Sequence, residues 1–163
     1  MRIHVTGNAG AGKTTLARKL GAELDLPVIH LDQIVWAPGW KKVSPQERDK
    51  ALLEITQSDR WLIEGVSAYV RERADLVVFL DVPRHVCIWR CARRNVPYLF
   101  KSRPELPPNC PEWRIWPTLL RIIWRFPGLV GERIRREAQE STRYVVLESQ
   151  FDADEWIKGI RAA

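Results

Sequence analysis

The run Gly7-Asn8-Ala9-Gly10-Ala11-Gly12-Lys13-Thr14-Thr15 constrains this chain more than any other feature, because it satisfies the pattern G-x-x-x-x-G-K-[ST] and lies between two regular stretches. Before it, Arg2-Ile3-His4-Val5-Thr6 has the β-branched content of a short buried strand. After it, Leu16, Ala17 and Leu20 recur at helical spacing, so the loop opens a helix N-terminus. Small residues at Gly7, Ala9, Gly10, Ala11 and Gly12 let successive backbone N–H groups turn inward around an anion, and the helix dipole reinforces that preference. Lys13 would then reach the outer phosphates of a nucleoside triphosphate, Thr14 would offer its hydroxyl to Mg²⁺, and Thr15 would donate to an inner phosphate.

The rest of the chain sets bounds on that reading. With 163 residues, 45% of them hydrophobic, it has the material for one domain with a real core, and is short for a motor or a two-domain enzyme. No run approaches the roughly 18 apolar residues needed to span a bilayer, and the first residues read as a core strand instead of a secretion signal, so a cytoplasmic protein is expected. Cys87, Cys91 and Cys110 are odd in number and lack zinc-site spacing, which predicts reduced, packing cysteines. The net charge of +6 is regional: residues 84–143 hold 13 Lys/Arg against 5 Asp/Glu. Beside a phosphate loop, such a region suits either nucleic acid or a lid whose arginines meet a triphosphate. The prolines clustered over 103–111 read as a loop.

Strand-like runs at 27–32, 60–65, 76–81 and 142–148 alternate with helix-like runs at 45–58, 84–95 and 152–162; Ser44 and Glu47 form a capping box. Residues 113–139 read as two helices meeting near Pro127-Gly128. This alternation predicts a parallel sheet between helical layers, with ligands at the strand C-termini. There the phosphate loop, Asp32, Glu64 and Asp81 would converge. Carboxylates beside a triphosphate repel it unless Mg²⁺ or a substrate hydroxyl intervenes, so Asp32 and Glu64 are candidates for such contacts. Asp32 has local helix capping as its alternative, and Asp81 has capping of the next helix.

Together with the phosphate loop, His30-Leu31-Asp32, Trp36, Pro38-Gly39-Trp40, Trp61 to Gly65, Leu80 to Arg84 and Trp124 to Pro127 resemble the adenylate-kinase-like proteins labelled DNA topology modulation proteins, over nearly the whole length. That resemblance implies a three-layer P-loop fold with a five-strand parallel sheet, ATP·Mg²⁺ as donor, and a helical lid region after the fourth strand, about 96–128. It also implies that Arg90 stacks on the nucleotide base and that Arg94 meets phosphate, with Arg103 a further lid candidate. Relatives carry an arginine four residues beyond the carboxylate matched by Glu64; Ala68 stands there, leaving Arg71 or Arg73 as substitutes. A second strand ending in Asp32 is more like kinases whose acceptor is a hydroxyl compound.

The resulting expectation is a phosphotransferase moving the γ-phosphoryl of ATP to a nucleotide or small hydroxyl-bearing acceptor. Lys13 and Arg94 would neutralise charge, and Asp32 or Glu64 would orient the attacking group. Two alternatives are a nucleotide-controlled nucleic-acid binder using Trp113, Trp116 and Trp124, and a regulatory NTPase. Against the binder, Trp116, Leu119, Leu120, Ile123 and Trp124 recur at core spacing. Trp36, Trp40 and Trp61 lie on the expected acceptor side, where Trp36 and Trp40 are candidates for an acceptor wall, with ordinary loop packing as the alternative.

Overall fold

The computed structural model describes residues 1–98, 100–101 and 109–162. Strand β1 (Arg2–Gly7) leads through the glycine-rich loop into α1 (Lys13–Leu24), and β2 (Val28–His30) into a short helix, α2 (Leu31–Val35). A small hairpin follows, β3 (Trp36–Ala37) and β4 (Lys41–Lys42), and then α3 (Pro45–Thr56). Strand β5 (Trp61–Glu64), α4 (Ala68–Arg73), β6 (Leu76–Leu80) and α5 (Arg84–Asn95) complete the first part. After it come α6 (Glu112–Phe126), a π-turn over Pro127–Gly131, α7 (Glu132–Glu140), β7 (Tyr144–Leu147) and α8 (Gln150–Ala162).

The main sheet has five strands in the order β2-β5-β1-β6-β7, and each neighbouring pair is parallel. Its three central strands, β5, β1 and β6, are buried on both faces, which explains their continuous apolar runs. Side chains alternate between two cores: Ile3, Val5, Leu62, Val78 and Leu80 pack with α1, α5, α6 and α8 on one face. Trp61, Ile63 and Val77 pack with Leu31, Leu52 and Val70 on the other. This is the expected three-layer α/β/α arrangement. Among the described residues no helix is long and apolar enough to cross a membrane.

Local signals account for the boundaries. Ser44 accepts the Glu47 N–H while the Glu47 carboxylate accepts the Ser44 N–H, the reciprocal box that starts α3. One expectation needs correction. The second strand stops at His30, two residues short, because Leu31 turns into α2 and Asp32 falls in its first turn, where a carboxylate meets the positive helix end. Helix α4 and the β3–β4 hairpin were not anticipated; both are too short for periodicity to reveal. The two helices expected to meet near Pro127 are α6 and α7, and they join there through the wide turn Pro127–Gly131. Of the proline-rich loop, residues 102–108 lie outside the described residues, Arg103 among them.

Candidate active site

The glycine-rich loop sits at the C-terminal end of β1 and at the N-terminus of α1. Gly10 adopts φ +81°, and a Cβ there would fall on the Cys87 carbonyl and Cys91 Sγ, so α5 packs directly beneath the loop. The Asn8 carbonyl accepts the Ala11 N–H at 3.1 Å and Lys13 Nζ at 3.0 Å. Arg90 donates to the Ala11 carbonyl at 3.3 Å. A cleft of about 430 Å³ opens over this loop, lined by Lys13, Thr14, Thr15, Arg18, Arg90 and Arg94, with Gln150 beside Gly12. Four of these side chains are cations and none is a carboxylate, so the cleft is built for an anion.

The sequence also places a carboxylate at the end of β5, and the fold brings it to the loop. Glu64 is buried; its Oε1 accepts the Thr14 hydroxyl at 3.1 Å and pairs with His30 Nδ1 at 2.9 Å. Burial alone would raise its pKa, but the His30 hydrogen bond, the Lys13 charge and the Thr14 hydroxyl outweigh burial and hold the carboxyl below its ordinary value. A threonine that donates its proton to Glu64 keeps oxygen lone pairs for a cation, so Thr14 fits the Mg²⁺ that accompanies a triphosphate.

The three carboxylates therefore do not act as one set. Asp32 lies on the exposed first turn of α2. Asp81 is taken by Arg135 of α7 at 2.6 Å, an ion pair that raises the arginine's pKa, and no side chain caps α5. Both suggested substitutes for the missing arginine are engaged elsewhere: Arg71, 3% exposed, pairs with Glu137 at 2.8 Å, and Arg73 stacks on Tyr69 with its guanidinium carbon 3.5 Å from the ring centroid. Trp61 is a fully buried core residue. Trp36 and Trp40 meet edge to face at 5.3 Å, and Trp40 Nε1 donates to the Pro111 carbonyl, so the hairpin is docked on the chain preceding α6.

Sequence reasoning missed His30, Arg18 and Gln150. His30 closes β2 two places before Asp32; Arg18 follows Thr14 and Thr15 at i+4 and i+3 on α1; Gln150 opens α8 just beyond β7. The rule that ligands gather at strand C-termini flags the first and last, and helical spacing the second.

No family model matches the chain, and no curated protein matches it in sequence. Similar solved structures cover it almost completely. A shikimate kinase from Acinetobacter baumannii in complex with shikimate is 23% identical over 98% of this chain and 89% of that one, with a TM-score of 0.58. A deoxyadenosine kinase from M. mycoides with bound dATP is 16% identical over 99% and 97%, with a TM-score of 0.55. A gluconokinase from Sinorhizobium meliloti 1021 is 16% identical over 99% and 93%, with a TM-score of 0.53. What the chain shares with all three is the fold: the parallel P-loop α/β sheet on which those kinases are built.

Proposed function

We propose that the chain is an ATP-dependent phosphotransferase of the adenylate-kinase-like type, acting on a small hydroxyl-bearing or nucleotide acceptor. The observation that carries this is the juxtaposition of a four-cation, phosphate-loop cleft with a buried carboxylate that accepts the Thr14 hydroxyl. The loop amides and Lys13 would hold the β- and γ-phosphates, and Thr14 would help hold Mg²⁺, which supplies charge neutralisation when bound. Arg90 would cover the base and Arg94 the phosphates, while the region about 96–128 would act as the lid. Glu64 would orient the acceptor side through His30, and Asp32, exposed at the neighbouring helix start, would contact acceptor hydroxyls. The neighbouring kinases act on shikimate, deoxyadenosine and gluconate by name, which supports an acceptor bearing a free hydroxyl. Membership of the DNA topology modulation family and a cytoplasmic location are part of the same proposal. Incubating the protein with ATP, Mg²⁺ and panels of nucleosides, nucleotides and hydroxyl metabolites should release ADP above the acceptor-free rate for at least one class. ADP at the acceptor-free rate throughout would refute it.

One observation favours a second reading, nucleic-acid binding. Trp116 and Leu119 pack against the core as expected, but Trp124 is 62% exposed and Trp113 51% exposed, and Arg84 lies over the Trp124 ring at 4.4 Å. Exposed tryptophans paired with arginines on a basic surface suit stacked bases. Salt-sensitive binding of single strands, lost in W124A, would support this reading.

A further inference from the structure

The Ile123 carbonyl on α6 lacks its ordinary helical donor, because the residue four places on is Pro127, which has no N–H. Asn8, in the phosphate loop, supplies one. Its side chain is 2% exposed, and Nδ2 donates to that carbonyl at 2.9 Å. The other end of the same amide, Oδ1, accepts the Ala9 N–H at 2.8 Å, while the Asn8 main-chain carbonyl receives Ala11 N–H and Lys13 Nζ. Beyond the proline, the Glu132 N–H bonds back to the Pro127 carbonyl across the wide turn, and α7 continues. One side chain thus reads a helix break 115 residues away with one end and fixes the first turn of the phosphate loop with the other.

We infer that Asn8 is a positioning residue for the nucleotide site, and that Pro127 sets it by leaving the Ile123 carbonyl open. A residue at 127 with an N–H would close the helix on Ile123 and compete with Asn8 for that carbonyl. The loop would then lose the tether that orients the Ala9 amide and the Lys13 resting place. The consequence for ligand binding rests on the phosphotransferase reading; the tether itself does not.

The test is a double-mutant cycle on the full chain with P127A and N8A, read in two ways. Titration with ATP·Mg²⁺ should show each single variant binding about two- to tenfold more weakly, the range expected for one neutral hydrogen bond. The double variant should bind no more weakly than N8A alone, since both changes break the same link. P127A regains a helix bond but leaves the buried Asn8 amide short of its acceptor, so these terms oppose each other and it should still unfold in one cooperative transition, which separates the effect on the loop from loss of the fold. In nucleotide-free protein, the Ala9 and Ala11 amides should exchange hydrogen faster in P127A. Losses that multiply in the double variant, or P127A with unchanged affinity and loop exchange, would overturn the inference. A wild type that binds no ATP would sink the proposed function, and the exchange measurement alone would then decide this one. Should P127A not fold, N8A carries the test: it removes the donor to Ile123 without adding a charge, and unchanged exchange of the Ala11 amide would overturn the tether.

Discussion

Lys13 lines the cleft and is absent from the hydrophobic core, so its removal should touch function more than folding. K13A is expected to lose turnover while still folding and melting cooperatively; full activity in K13A would contradict the site. Glu64 is different, since it is buried against His30 and Thr14. E64Q keeps an acceptor for Thr14 but removes the charge, and should lower kcat by about tenfold or more with a smaller change in KM for ATP. His4 provides a stability prediction. The Gly65 carbonyl at 3.0 Å requires the proton on Nε2, Nδ1 faces no donor among the described residues, and burial pushes the pKa down to about 3 from 6.5. The folded state refuses a proton that the unfolded chain accepts below 6.5, so this contribution is complete above that pH and is lost as pH falls toward 3. The unfolding free energy from urea titrations should fall from pH 7 to pH 4 with a slope approaching about 1.4 kcal/mol per pH unit from this group. H4Q should flatten that slope.

At the level of elements, periodicity and capping were legible wherever an element was long. The α3 box could be read because Ser44, Pro45 and Glu47 each have a local reason to be there, and S44A should cost about 1 kcal/mol by chemical denaturation. The two-residue strands of the hairpin and the single turn of α2 carry no period, and tertiary contacts decide them. That is why Asp32, read as a strand end, emerged on a helix. The loop beneath the cleft depends on how closely α5 approaches it. G10A would place a methyl against the Cys87 carbonyl from a left-handed backbone, and should destabilise by about 2 kcal/mol or more while disturbing nucleotide binding.

For the whole molecule, the parallel sheet and its layers followed from alternating apolar strands and helices, and the solved kinases of the same fold share that architecture. The phosphate loop was legible because its chemistry is local in sequence. The pairing of Arg71 with Glu137, of Asp81 with Arg135 and of Asn8 with Ile123 joins residues 54 to 115 positions apart, and no spacing rule announces such partners. The uneven charge likewise foretold a basic region but not that Trp113 and Trp124 would stand exposed upon it. The proposed function depends on the cleft over the loop accepting a nucleoside triphosphate. The most direct measurement is a calorimetric titration of the folded protein with ATP and Mg²⁺: the account predicts saturable heat at one site that disappears in K13A. No heat from well-folded wild type, with ATP or with GTP, would contradict it.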